Sequence, residues 1–453
     1  NADMGYDISD YCDIDPRYGT MEDAVELFRV AHEKGIHVLI DLVPGHTSEE
    51  HPWFVESGKE HPQEEYAHRY IWTENAFCRG DGMPFIGGEQ PRDGTYIINF
   101  FKCQPALNYG YRKINEPNWQ QSIDSPAALA TREAMKDVMR FWLGLGCDGF
   151  RVDMAGSLVK NDEDGKGTIA LWQDFRKFLD AEFPEAAIVS EWGEPDKSLS
   201  GGFHMDFLLH FGPSHYNDLF RCDEPYFSRR GKGSIKEFVA AYKENYAKTD
   251  GKGLICIPSG NHDMDRLARR LDYEEMKIAF AFLLSVPGAP FIYYGDEIGM
   301  RYVENLISVE GGYGRTGSRS PMQWDKTTNA GFSSASKEKL YIKQDDCPDR
   351  PDAESQMNDK NSLRSEVKRL IAVRMANKAL QSNASIEFIG DDYPLVYKRS
   401  CDEQSIMVVI NPADKPCEIG CDGRGIIYKV GAEAALNGGK VTINGAGAAF
   451  ILL

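Results

Sequence analysis

Arg151 and Asp153 stand two residues apart in GCDGFRVDMAG (146–156), where a run with the composition of a buried strand comes to its end. Side chains alternate along a strand, so the guanidinium and the carboxylate share one face while Phe150 and Val152 take the other. Opposite charges held together at a strand terminus suit acid–base or nucleophilic chemistry. Similar groups end other apolar runs: Asp41 and His46 after HVLI, Glu191 after AAIVS, and Asn261, His262 and Asp263 after LICIPSG. A single strand-end Asp usually caps a helix, a single His is usually a satisfied core residue, and a single Glu is usually a salt-bridge partner. Four successive strand ends carrying carboxylate, Arg and His side chains read instead as one site.

The elements that must position these groups repeat as amphipathic helix, Gly turn and short apolar strand. The first helix starts at Thr20, with Asp23 completing a capping box, and carries Ala24, Leu27, Phe28 and Ala31 before Gly35. A second follows Ser125-Pro126 and leads into the opening strand, with Pro at the favoured first position. A third, around 168–183, ends at Pro184. Beyond it come apolar runs at 203–211, 254–263 and 290–299, and an apolar helix at 274–286. Strands alternating with helices imply a parallel sheet with crossovers, and active groups at strand ends imply the carboxyl face of a (β/α)8 barrel. Six strands of such a barrel are legible.

A chain of 453 residues that is 42% hydrophobic can bury a large core and exceeds one ordinary domain. With 51 basic against 70 acidic residues, its charge of −19 argues against nucleic acid or an anionic membrane as partner. No apolar run reaches the length of a membrane span. Ten scattered cysteines with no CxxC spacing argue against a metal or redox centre and for a reducing, cytoplasmic setting. Cys417 and Cys421 are close enough to pair. The first residue is not Met, so a leader peptide is not judged from this sequence.

The ordered set GYDISDY (5–11), DLVPGHTS (41–48), GFRVDMA (149–155), VSEWGEP (189–195) and SGNHD (259–263) resembles the α-amylase superfamily of glycoside hydrolases. GYDISDYCDIDPRYGTMED and SRSPMQWD (318–325) further resemble its oligo-1,6-glucosidase and α-glucosidase branch. The resemblance implies a TIM barrel with a small insert after the third strand and a C-terminal antiparallel β-sandwich. On this layout 1–46 and 111–380 form the barrel, 47–110 the insert and 384–453 the C-terminal domain. If GYDISDY follows the second strand, the first two strands precede residue 1, on the order of 50 residues at about 30 per βαβ unit.

Retaining hydrolysis of an α-glucosidic bond needs a carboxylate nucleophile and a protonated carboxyl on opposite faces of the sugar, roughly 5–5.5 Å apart. By resemblance Asp153 is the nucleophile, Glu191 the general acid/base and Asp263 the third carboxylate, which grips sugar hydroxyls. Arg151 on the same strand face would keep Asp153 ionised, whereas Glu191 needs burial or a neighbouring carboxylate to hold its proton. Glu194 is the rival acid, three residues on. His46 and His262 match hydroxyl-binding histidines, and Tyr6 offers a ring face to the sugar. Asp7 and Arg315 match the pair that grips the terminal O4 and O6 hydroxyls in exo-acting glucosidases.

Two positions depart from the amylase pattern: Gly45 stands for Asn, and Ala106 for Asp inside the QPDLN-like motif. Glycine offers no side-chain oxygen, so no calcium is expected there; other glucosidases of the branch carry a metal in the loop after the first strand. No cofactor is expected, and the partner is a short oligosaccharide or disaccharide. The resemblance implies an exo-acting α-glucosidase. A transglycosylase or isomerase, such as a trehalose synthase or sucrose-converting enzyme, shares the first half-reaction, and Met154 beside the nucleophile gives no clear linkage preference. Non-catalytic amylase-like ectodomains lose these residues and add a membrane span.

Overall fold

The first strand begins where a helix has just been stopped. In the computed structural model, which describes residues 2–307, 310 and 313–453, the helix Met21–Glu33 carries the expected capping box, with Thr20 and Asp23 each bonding the other's backbone. Its buried stripe is narrower than the sequence suggests: Phe28 and Ala31 turn inward at i,i+3 spacing, whereas Leu27 faces outward. At the other end Gly35 N donates to His32 O and Ile36 N to Ala31 O, a double closure with Gly35 at φ +69°. The chain then enters strand β1, Leu39–Leu42.

The chain divides into two compact units, one ending at Asp206 and the other starting at Phe207. In the first, β1 is followed by a short hairpin of β2 (Phe85–Gly87) and β3 (Thr95–Ile97), then by β4 (Gly149–Val152), β5 (Ala187–Ser190) and the start of β6 (Met205–Phe207). β4 lies parallel between β1 and β5, with Asp41 opposite Arg151 and Arg151 opposite Val189. β5 continues parallel to β6 through Val189–Met205 and Ser190–Asp206. Phe150, Val152 and Ile188 from these strands pack with Met135, Met139, Trp172 and Phe175 of the crossover helices Pro126–Gly144 and Lys166–Glu182. Ser125 caps the first of these helices and Pro126 fills its first position, as the sequence predicts.

Close strand approach sets one residue absolutely. A Cβ on Gly149, at φ +149°, would stand 1.9 Å from Ala187 O on β5, so only glycine fits between β4 and β5 there. Between β1 and the helix Pro126–Gly144 the chain carries only short elements and is built on aromatics, with Phe54 stacked on Trp72 and edge-on to Tyr70 and Tyr96. It returns through the QPALNYG stretch, where Ala106 is fully buried and bridged to His46.

In the second unit Leu208 N donates to Cys256 O of β7, Leu254–Cys256. The run at 290–299 forms only an isolated parallel bridge, Pro258 to Phe291, instead of a full strand. Pro290 lacks the N–H of a regular ladder, and three residues on Tyr293 N donates to the Ser259 hydroxyl at 2.9 Å instead of to a strand carbonyl. The apolar helix runs Tyr273–Leu283, opened by an Asp272–Glu275 capping box.

From Ser385 the pattern becomes antiparallel. Strands β8 (Ser385–Asp391), β9 (Leu395–Cys401), β10 (Gln404–Asn411), β11 (Cys417–Gly420), β12 (Gly425–Gly431), β13 (Ala434–Asn437), β14 (Lys440–Ile443) and β15 (Gly447–Leu452) form two sheets. Their orders are β12-β15-β10-β9-β8 and β11-β14-β13. Val396, Val409, Ala449 and Ile451 of the larger sheet share a core with Val441 and Ile443 of the smaller. All ten cysteines, Cys417 and Cys421 included, are free thiols. No helix among the described residues is long and apolar enough to cross a membrane.

Candidate active site

In the first unit the three carboxylates singled out at the strand ends converge on one guanidinium. Arg151 Nη1 donates to Asp153 Oδ1 at 3.0 Å and lies 3.2 Å from Asp41 Oδ1, while its Nη2 lies 3.0 Å from Glu191 Oε1. Strand alternation brings Arg151 and Asp153 to one face, and the β1–β4 register adds Asp41. Asp153 N donates to Leu42 O and Glu191 N to Val152 O, so each carboxylate-bearing residue is pinned by the neighbouring strand. After Asp153 the backbone turns through Met154 at φ +43°, a left-handed conformation unusual for methionine, and Met154 N donates to Glu191 Oε2 at 3.3 Å.

Burial sets the proton affinities. The Glu191 carboxyl is pushed up to about 7, first by desolvation and then by the Asp153 charge, against the pull of Arg151. Asp153 is also raised above the ordinary carboxylate value. Desolvation is the largest cause, and the charge and hydrogen bond of Arg151 oppose it without overcoming it. The guanidinium therefore acts in the direction the sequence suggests, and burial outweighs it. Glu194, the rival acid, is instead an ion-pair partner of Lys197 at 2.7 Å and accepts from Trp192 Nε1 at 3.3 Å.

Tyr6 donates from Oη to Asp41 Oδ2 at 3.2 Å, and the Arg151 guanidinium lies 5.8 Å from its ring centroid. Buried His46 meets Tyr6 O through Nε2 at 2.8 Å and the Asn99 amide nitrogen through Nδ1 at 3.0 Å. Desolvation lowers this imidazole to about 4, so the ring is neutral, with its proton on Nε2 facing the carbonyl. Both nitrogens have protein partners, and His46 reaches a sugar hydroxyl only by giving one up. Asp7 is buried, its two oxygens accepting from Ala2 N at 2.8 Å and Asp3 N at 3.1 Å.

The second unit carries its own charge cluster. Arg315 Nη1 and Arg319 Nη2 both donate to Asp263 Oδ1 at 2.7 Å, and His262 Nε2 lies 3.5 Å from Asp263 Oδ2. Burial raises the Asp263 pKa, but His262, Arg315 and Arg319 together hold it below the ordinary value. Arg319 Nε also donates to His262 O at 2.9 Å, which ties the SRSPMQW stretch to SGNHD.

The catalytic domain of α-amylase, as a family, matches residues 1–383, the whole of the chain before the C-terminal sheets. The chain belongs to the α-amylase family. This α-amylase-family enzyme is a glycoside hydrolase with a TIM-barrel fold. It is 32% identical over 440 residues to the trehalose synthase/amylase TreS of Mycobacterium tuberculosis, covering 86% of this chain and 69% of that one. It is 28% identical to the oligo-1,6-glucosidase of Parageobacillus thermoglucosidasius, covering 92% and 81%. The crystal structure of the trehalulose synthase MutB from Pseudomonas mesoacidophila MX-45 superposes with a TM-score of 0.82 at 21% identity, over 100% of this chain and 89% of that one.

Two residues of this family member's clusters, Arg319 and Asn99, escape sequence reasoning as site members, and a third, Asp41, is found without its partner. Asp41 is visible as a strand-end charge, but its partnership with Arg151 follows from strand register. Arg319 lies within the SRSPMQW motif, yet nothing in the spacing shows that it shares one oxygen of Asp263 with Arg315. Asn99 carries no signal at all. A Cβ on Gly45 would stand 2.8 Å from Asn99 Nδ2, so the missing side chain at 45 is the space through which Asn99 reaches His46.

Proposed function

We propose that the protein is a retaining, exo-acting α-glucosidase that hydrolyses short α-glucosides. The observation that carries this reading is the Arg151-centred pair of carboxylates, one of them with its pKa raised to about 7. Asp153 attacks the anomeric carbon while Glu191 protonates the glycosidic oxygen, giving a covalent glucosyl-enzyme and the departing alcohol. Glu191, now a carboxylate, takes a proton from water, which displaces Asp153 and restores both groups. Arg151 orients the two carboxylates and balances their charge through both steps.

Asp263 is assigned to sugar hydroxyls, as are His262 and Arg315 beside it; its depressed pKa supports an acceptor that stays ionised throughout. Tyr6 is assigned to the sugar face, with His46 holding its backbone. Asp7 is assigned to a hydroxyl of the terminal glucose. No metal is assigned to these steps. At Gly45 the Asn99 amide fills the side-chain space, and Lys160 Nζ lies 3.5 Å from Asn99 Oδ1, so a protein cation is already present. The ten free thiols are in keeping with a reducing, cytoplasmic setting.

A second reading is favoured by the similarity to proteins named trehalose synthase and trehalulose synthase. The glucosyl-enzyme is the same, but a sugar hydroxyl instead of water accepts the glucose. Incubation with p-nitrophenyl α-glucoside, maltose, isomaltose, sucrose and trehalose, with chromatography of the products and proton NMR of the first anomer, decides between them. Free glucose released as the α-anomer supports hydrolysis with retention; a rearranged disaccharide supports transfer; initial β-glucose overturns both.

A further inference from the structure

At the amino-terminal ends of β1 and β4, opposite to the end that bears Asp153 and Glu191, two histidines close on one carboxylate. His32 Nε2 lies 2.8 Å from Asp148 Oδ2, and His37 Nδ1 lies 3.0 Å from Asp148 Oδ1. The carboxylate sits immediately before β4 and is fixed from behind by Val38 N, which donates to Oδ2 at 2.7 Å. His32 belongs to the last turn of Met21–Glu33, and the Gly35 turn carries the chain round so that His37 faces it, ring centroids 6.1 Å apart. We propose that His32, His37 and Asp148 form a binding site for a borderline transition-metal ion, with Zn2+ the best match.

The donor set decides the class of ion. Two imidazoles and one carboxylate suit Zn2+, Co2+ or Ni2+, whereas Ca2+ and Mg2+ take oxygen ligands. One donor atom from each of the three residues lies within 4.8 Å of the others. Zinc bonds of about 2.0–2.2 Å in a tetrahedron put neighbouring donors about 3.3 Å apart. The two His–carboxylate separations, 2.8 and 3.0 Å, are near that figure but run to different oxygens of Asp148, so to share one oxygen the imidazoles must turn together and close the gap between them. His37 can close it, because its side chain is 77% exposed, and the same exposure gives the ion an open path. Each ring then meets the ion through a lone pair, its proton on the other nitrogen. Water completes the shell.

The surroundings favour a cation. The helix ends at this point, so its carbonyl dipoles present partial negative charge to the site. The backbone amide on Asp148 is the kind of outer contact that holds a ligand in orientation. Cys147, though adjacent, is buried and turns its thiol to Val38 O and Gly149 O, so it is not part of the set. From Asp148 to Asp153 the strand covers about 16 Å at 3.3 Å per residue, which separates the ion from the reacting groups. Its role is that of a clip joining the end of the first helix to the starts of β1 and β4.

The test is zinc titration of the untagged protein, followed by calorimetry and thermal unfolding, with Co2+ absorption as the spectroscopic readout. One tight equivalent is expected, with a rise in Tm of at least about 2 °C in excess Zn2+ and a visible ligand-field band with Co2+. The double variant His32→Gln, His37→Gln should bind Zn2+ at least ~10-fold more weakly, lose the Tm shift and the Co2+ band, and keep wild-type turnover. If the double variant misfolds, His37→Gln alone carries the comparison. Absence of a Zn2+-dependent shift in the wild type, or an equal shift in the variants, overturns the proposal.

Discussion

Arg151 and Glu191 meet across the β4–β5 boundary with 3.0 Å between Nη2 and Oε1. The same guanidinium serves Asp153 and Asp41 through its other terminal nitrogen. One cation therefore stands among three carboxylates, and the buried site is short of positive charge unless a proton joins it. Of the two buried carboxyls, Glu191, raised to about 7 by desolvation and the Asp153 charge, is placed to carry it.

The assignment of Asp153 as nucleophile predicts that Asp153→Asn abolishes turnover, by roughly 10³-fold or more, in a protein that still folds. Steady-state kinetics on p-nitrophenyl α-glucoside, beside circular dichroism, measure it. Near-normal activity in the folded variant would remove the assignment.

The pH profile follows from the direction of both shifts. Glu191 must be protonated to act as acid, and its pKa of about 7 means that kcat/KM falls as pH rises through that value. Asp153 must be ionised, and because its pKa is raised, the acid limb lies above the usual Asp range. A bell with its alkaline limb near 7 is expected from initial rates across pH; Glu191→Gln should leave its residual activity without that limb. A flat profile from pH 6 to 9 contradicts the acid role.

Exo action predicts glucose as the first product from maltotriose or isomaltotriose and little attack on starch. Asp7→Ala should lower kcat/KM on these substrates by about 10–100-fold through loss of a buried hydrogen-bonding partner. Because Asp7 also accepts from Ala2 N and Asp3 N, Tm must be measured in parallel. Loss of stability with kcat/KM unchanged would make Asp7 a turn-holding residue only, and rapid mid-chain cleavage of amylose would rule out exo action.

Gly149→Ala tests the barrel wall. With 1.9 Å between a Cβ there and Ala187 O, β4 must move away from β5. A destabilisation of about 3 kcal/mol or more is expected, read as a fall in the urea midpoint. The displaced Arg151 and Asp153 should cost activity in the same variant. A variant as stable as wild type would show that the strands separate freely.

Much of the local structure was legible in the sequence. Alternation on a four-residue strand put Arg151 and Asp153 on one face, Thr20 with Asp23 and Ser125 with Pro126 marked helix starts, and the ordered strand-end motifs carried the family. The strand face and the helix starts depend on residues a few positions apart, where covalent geometry fixes the outcome, and the motifs depend on their order along the chain. The tertiary structure decided the rest. Asn99 reaching His46 past Gly45, two arginines sharing Asp263 Oδ1, and the run at 290–299 reduced to a single bridge depend on where distant segments come to lie. So do the proton affinities: Arg151 is legible beside Asp153, but the desolvation that outweighs it comes from burial in the folded chain, which no spacing of residues encodes.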